Sequence, residues 1–243
     1  MAEPATTGKR CKRIEDMQIG DYIKVHGINN KGYFSGDAGR SELPLPYTQI
    51  PQSLDRSNNF YFYAVKVAKG LLVADRVIVT IKSISWSYFN TKMLMQGHLQ
   101  PDPFDGRTKI FVRSLTGGVA YADQNGNKSK RGYEGGGRYG SVFGAWPTNN
   151  EWDRFIVNFP LNKVQKGKTL DDVFHWTLAS TLCQDTTGTD EFIYIDGNPP
   201  TGNSKNTKIT RGDRSSLKAL NRFDLNYVGS IINGFRPVFE YRE

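Results

Sequence analysis

Cysteine and histidine are scarce in this chain of 243 residues. Its two cysteines, Cys11 and Cys183, are too few for a disulfide framework or a zinc finger. Three histidines, His26, His98 and His175, stand far apart and offer no cluster of metal ligands. No apolar run approaches the ~20 residues of a membrane span, so membrane insertion is not expected. The basic residues Lys9, Arg10, Lys12 and Arg13 near the N-terminus are not followed by an apolar stretch, so this segment does not read as a secretory signal. Heptads and internal repeats are missing. So are a phosphate-binding loop, a helix-turn-helix pattern, a Gly-x-Ser-x-Gly elbow and a convincing carboxylate pair.

What is present points to a folded, loop-rich chain. Four Trp, 12 Tyr and 14 Phe are too many to leave in water. Lys and Arg number 32 against 24 Asp and Glu, a formal charge of +8. These basic residues are scattered, and no nucleic-acid motif accompanies them, so nucleic acid is not the expected partner. With 25 Gly and 11 Pro, turn clusters punctuate the whole length. Between them lie short β-branched and aromatic runs that read as strands: 59–67 (NFYFYAVKV), 71–81 with a bend near Ala74 and Asp75, 109–115, 192–195, 207–210 and 235–241. Residues 22–25 are a weaker strand.

Helical signals are fewer. Thr148 and Glu151 have capping-box spacing, followed by Trp152, Phe155 and Ile156 on one apolar face. Residues 84–95 place Trp86, Phe89 and Met93 on one side. Residues 171–182 fit either helix or strand, and the preferred reading is a short turn followed by irregular structure. Two long loops, 121–146 and 184–208, are glycine-rich, polar and aromatic. Residues 36–52 read as a connector. The division expected is an arm and attachment segment at 1–54 and a main domain at 55–243.

Several motifs occur in order: 74–90 (ADRVIVTIKSISWSYFN), 111–118 (FVRSLTGG), 146–156 (WPTNNEWDRFI), 174–176 (FHW), 209–216 (ITRGDRSS) and 234–241 (GFRPVFEY). Their order resembles the C-type-lectin-like fold in its formylglycine-generating-enzyme variety, shared by phage tropism determinants. Gly20-Asp21-Tyr22-Ile23 and the closing Gly-Phe-Arg-Pro-Val are similar to proteins of tailed phages and prophages. The resemblance implies an α+β, C-type-lectin-like domain with long irregular loops behind a small β-containing N-terminal segment. Its structural skeleton would be Arg113, Gly117, Gly118, Glu151, Trp152, Trp176, Arg211, Gly212, Gly234, Phe235 and Arg236. The three arginines are suited to bidentate links between loops and sheet, with Glu151, Asp153 or Asp213 as partners.

Enzymes of that family use a reactive cysteine pair or an iron bound by histidines. No cysteine follows Cys183, and the histidines are isolated, so neither an enzyme nor a cofactor is expected. Asp185, Asp190, Glu191, Asp196 and Asn198 lack the spacing of a calcium loop, and no metal is expected. The resemblance implies a virion protein. Residues 1–54 would hold other virion proteins, and loops would touch a host cell-surface glycan or protein, in a homotrimer. The receptor-contact candidates are Tyr121, Tyr133, Arg138, Tyr139 and Trp146. The alternative is a purely structural virion component, such as a decoration, collar or fibre-base protein. Arg211-Gly212-Asp213 spells an integrin-binding tripeptide but coincides with the strand motif, which explains it better.

Overall fold

Alternation of side chains along a nine-residue strand sets the architecture. In β4 (Phe60–Ala68), Phe62 and Ala64 enter one apolar cluster, while Tyr63, Val65 and Val67 enter another. A strand buried on both faces must lie inside a sheet covered on both sides. The computed structural model describes residues 3–29, 31–34, 41–45, 49–57, 59–80, 85–104, 109–130, 140–186, 207–224 and 233–242.

The large sheet has eight strands. Its path runs β1 (Arg10–Cys11), β2 (Tyr22–His26), β4, β5 (Leu71–Ala74), β17 (Val238–Glu240), β8 (Lys109–Arg113) and β7 (His98–Pro101). The short β3 (Ser41–Glu42) pairs with β4 off that path. Leu72, Ala74, Ile110, Val112 and Phe239 face the first cluster, which α2 (Trp86–Thr91) covers with Trp86 and Phe89. Leu71, Val73 and Val238 face the second. There they meet Trp152, Ile156, Phe159, Val173 and Phe174, from a π-helical turn at Asp153–Val157 with its lead-in and from α3 (Leu170–Phe174). The four-residue α1 (Leu54–Ser57) precedes β4.

A six-stranded sheet is ordered β11 (Gly140–Ser141), β15 (Leu220–Asp224), β14 (Thr207–Arg211), β13 (Ser180–Thr186), β16 (Asn233–Phe235) and β6 (Val79–Thr80). A three-stranded sheet is ordered β10 (Lys128–Ser129), β9 (Ala120–Ala122) and β12 (Ala145–Trp146). One antiparallel ribbon belongs to both larger sheets. Its first arm is β5 then β6, its second β16 then β17, so that β5 pairs with β17 in one sheet and β6 with β16 in the other. Backbone bonds from Ala74 to Pro237 and from Ile78 to Phe235 carry it across the gap.

The expected α+β, C-type-lectin-like architecture is overturned. Strands account for 37% of the chain and helix for 15%, with three short helices among several mixed sheets. The physical reason is that the three α-helices span only four to six residues each, too few for a helical layer, while β-branched and aromatic runs supply the strands. The helix expected from Thr148 begins later and wider. Asn150, not Thr148, caps it, accepting the Asp153 amide at 3.0 Å, because the Glu151 carboxylate is turned toward Arg113. The expected 71–81 strand splits into β5 and β6, and 235–241 into the end of β16 and β17. Residues 171–182 hold α3 and the start of β13 instead of irregular structure. A Thr169–Asp172 capping box sets the start of α3. Met93 turns outward at φ +57, and Leu94 and Met95 are buried in its place. The strand expected at 192–195 lies outside the described residues.

The N-terminal segment is woven into the body. Beyond β1 and β2, Thr6 bridges to Val164, and the amides of Ala5 and Gln165 donate to Asp172 and Ala5 carbonyls. Among the described residues no helix is long and apolar enough to cross a membrane.

Candidate functional site

The three arginines of the skeleton end in different kinds of partner. Arg113, at the end of β8, forks onto Glu151 with Nη1 and Nη2 at 2.6 and 2.5 Å, and its Nε reaches Glu240 at 3.2 Å. Glu151 also accepts the Thr116 amide at 3.0 Å, while Thr116 Oγ1 accepts the Glu151 amide at 3.0 Å. These reciprocal bonds staple the wide turn to the segment after β8.

Arg211, at the end of β14, is fully buried. It donates to Asp153 at 2.7 Å, to the Gly117 carbonyl at 2.7 Å and to the Ala219 carbonyl at 3.2 Å. Asn150 donates in turn to Asp153 at 2.6 Å. The arginine of the Arg-Gly-Asp string is therefore inside the protein, and the tripeptide is not presented. Gly117 lies so close to this network that a Cβ would meet Cys183 Sγ at 2.6 Å. At Gly212, φ is +70 and a Cβ would meet the Trp152 ring at 2.7 Å. Gly118 packs on Ala145, and Gly234 on the Val79 backbone. Trp152 is buried with its indole donating to the Leu217 carbonyl at 2.9 Å. Trp176 packs half-buried on the same cluster.

Among the described residues Arg236 finds no carboxylate within bonding reach. It lies at the gap in the ribbon and donates to the carbonyls of Ala74 and Phe174 and to Thr181 Oγ1, at 2.8 to 2.9 Å. Burial pushes it down to about 10. Beside it, Phe235 stacks on Phe89 at 5.6 Å. A group not foreseen from sequence sits next to it. Arg76 binds Asp75 at 2.6 Å and Glu42 at 3.1 Å, and His175 Nε2 is 3.9 Å from Asp75. The signal was available: Asp75-Arg76 is a charged pair inside an otherwise apolar run, which burial forces to pair.

Neither thiol is suited to nucleophilic work. Burial raises Cys183 well above the ordinary thiol range and raises Cys11 as well, with Asp21 adding to the effect. Asp185 is also raised by burial and accepts the Gly117 amide. Among the described residues no group of three or more His, Cys, Asp or Glu is placed to hold a metal.

The Arg211 network adjoins the three-stranded sheet through the Gly117 carbonyl and through Gly118, which packs on Ala145. The Val119 amide donates to the Trp146 carbonyl at 2.9 Å, and β9 pairs with both β10 and β12. Of the receptor-contact candidates, Trp146 stands 37% exposed at the end of β12. Phe143, 39% exposed, lies in the turn before it. Tyr121 points the other way and is only 2% exposed, packed with Ala145, Cys183 and Leu220, so it cannot reach a receptor. All three residues of β9 are buried, and Tyr121 sits opposite buried Ala145, whereas Trp146 sits opposite Ala120. Tyr133, Arg138 and Tyr139 lie outside the described residues. Compared with family models, curated proteins and solved structures, the chain matches none.

Proposed function

We propose that the chain is a non-enzymatic virion protein of a tailed phage or prophage, which contacts a host cell-surface glycan or protein through the three-stranded sheet and acts as a homotrimer. One observation carries the binding reading: Trp146 on the small sheet and Phe143 in the turn before it are exposed, next to the buried Arg211–Asp153 pair and the Gly117 carbonyl that Arg211 holds. An aromatic side chain held on a rigid base is the usual anchor of a contact surface. The phage setting draws its support from the Gly-Asp-Tyr-Ile and Gly-Phe-Arg-Pro-Val strings. The buried arginines and raised thiols favour a scaffold over a reaction centre.

The test is binding of the purified protein to intact cells of candidate host bacteria, beside Trp146→Ala. Saturable binding that falls at least about tenfold in the variant, with an unchanged circular dichroism spectrum, is the expected outcome. Equal binding by both proteins, or none by either, speaks against it.

The second reading is a purely structural virion component. It is favoured by a cleft of about 500 Å³ at the β7 edge, where Leu99 is 60% exposed beside Phe111, Lys109 and Glu240. In that reading a second copy of the chain covers this face, and the protein sediments as an oligomer that Leu99→Asp dissociates.

A further inference from the structure

Residues 140–150 (GSVFGAWPTNN) carry no charged side chain, in a chain of which 23% of the residues are charged. Phe143 and Trp146 are exposed in this segment, and so are Pro147, Thr148 and Asn149. Thr148 and Asn149 form the tip of a turn that directly follows the tryptophan. The Asn150 amide closes it, donating to the Pro147 carbonyl at 3.3 Å.

The backbone here is fixed on both sides of the indole. The Trp146 carbonyl accepts the Val119 amide at 2.9 Å. The Pro147 carbonyl accepts a second bond, from Asn150 Nδ2 at 2.6 Å. Asn150 Oδ1 is itself held, by the Asp153 amide at 3.0 Å and by Arg211 at 3.2 Å. A contact made here loses little freedom in the chain. The side chains, by contrast, are uncommitted. The buried Trp86 and Trp152 donate their indole N–H to the carbonyls of Cys183 and Leu217, each at 2.9 Å. Among the described residues the Trp146 indole N–H, the Thr148 hydroxyl and the Asn149 carboxamide have no hydrogen-bond partner.

These groups select a ligand by its chemistry. The indole face calls for apolar surface, while the N–H, the hydroxyl and the carboxamide call for a neutral partner that both donates and accepts. A pyranose has both, C–H groups across one face and hydroxyls around its rim. An anionic ligand would call for Arg or Lys, which the segment lacks. A protein partner would call for about 800 Å² of surface on each side with an apolar centre. Phe143 and Trp146 are the only large apolar side chains exposed in the segment. We propose that Trp146, Thr148 and Asn149 bind an uncharged sugar of the host cell surface. The face of the sugar ring lies on the indole, and its hydroxyls bond to the indole N–H and to the turn. The proposal rests on the binding reading above and narrows its ligand to a glycan.

The experiment measures binding of the full chain to intact cells of candidate host bacteria. The cells are left untreated, treated with periodate, which cleaves the vicinal diols of sugars, or treated with a broad protease. A double variant, Thr148→Val/Asn149→Ala, keeps Trp146 and removes the polar groups that a purely apolar contact does not use. The expected result is binding that periodate abolishes and that falls at least about tenfold in the double variant, the worth of one or two hydrogen bonds. Circular dichroism reports that the variant is folded, and the periodate arm needs no variant. Loss of binding to the protease but not to periodate overturns the sugar, as does full affinity in the folded double variant. In either case a loss in Trp146→Ala leaves the binding reading standing. Absence of binding to untreated cells, or equal binding by Trp146→Ala, overturns both.

Discussion

At the scale of single residues, Arg211 and Asp153 form the pair whose loss is easiest to foretell. Both are buried, and Arg211 also satisfies the carbonyls of Gly117 and Ala219. Arg211→Met leaves the Asp153 carboxylate with only Asn150 to answer it, and stability falls by about 3–5 kcal/mol. Adding Asp153→Asn removes the stranded charge, so the double variant recovers part of that loss. Urea denaturation of the two variants checks the expectation, and additive losses would contradict it. The arginines and their carboxylates were legible in the sequence because a charged residue in a strand motif needs a partner. Which atoms they hold was not legible. Arg236 takes carbonyls because the ribbon changes sheets at that point, and only the pairing of distant strands creates the gap.

Elements ten residues or fewer in length were legible in proportion to their contrast. β4, β5, β8 and β14 announce themselves by β-branched and aromatic runs. β13 was missed because Ser, Thr, Cys and Gln give it no alternation. α3 was missed because its capping box uses Asp in place of Glu. That helix carries a pH dependence. It ends on His175, in the left-handed region at φ +42. Burial lowers the pKa of His175 from its usual 6.5, and Asp75 opposes this only in part. The unfolded chain therefore takes up the proton first. The contribution of His175 is complete above about pH 6.5 and is lost as pH falls through that value. His98, also lowered by burial, acts in the same direction. His175→Asn keeps a residue that tolerates the left-handed conformation but removes the titration. Its stability, followed by urea midpoint from pH 7.5 to 5, should decline less steeply than that of the unaltered protein; parallel curves would refute the assignment.

Across the whole molecule, the fold class was the least legible property. Local patterns say that strands dominate, but the division of those strands among three sheets depends on contacts between remote segments. The same holds for the first twenty-six residues, whose strands read as weak because their partners β4 and the 163–172 region lie far along the chain. Removal of residues 1–11 takes away β1, the Thr6–Val164 bridge and the Ala5 bonds to Asp172 and Gln165. At about 1 kcal/mol for each backbone bond, a loss of roughly 3 kcal/mol or more is expected, seen as a lower thermal midpoint; an unchanged midpoint would mean that the segment merely rests on the surface. The ribbon shared by the two larger sheets also dictates an order of events during synthesis. Val73 is partnered by Val238, and Val79 by Phe235, with most of the chain between them. Until β16 and β17 leave the ribosome, β5 and β8 both wait with open edges, and β6 has no strand to join. Such waiting edges are where nascent chains pair with one another. Residues 233–240 thus act as the closing stitch of both sheets, and a nascent chain stalled before they emerge is prone to aggregate.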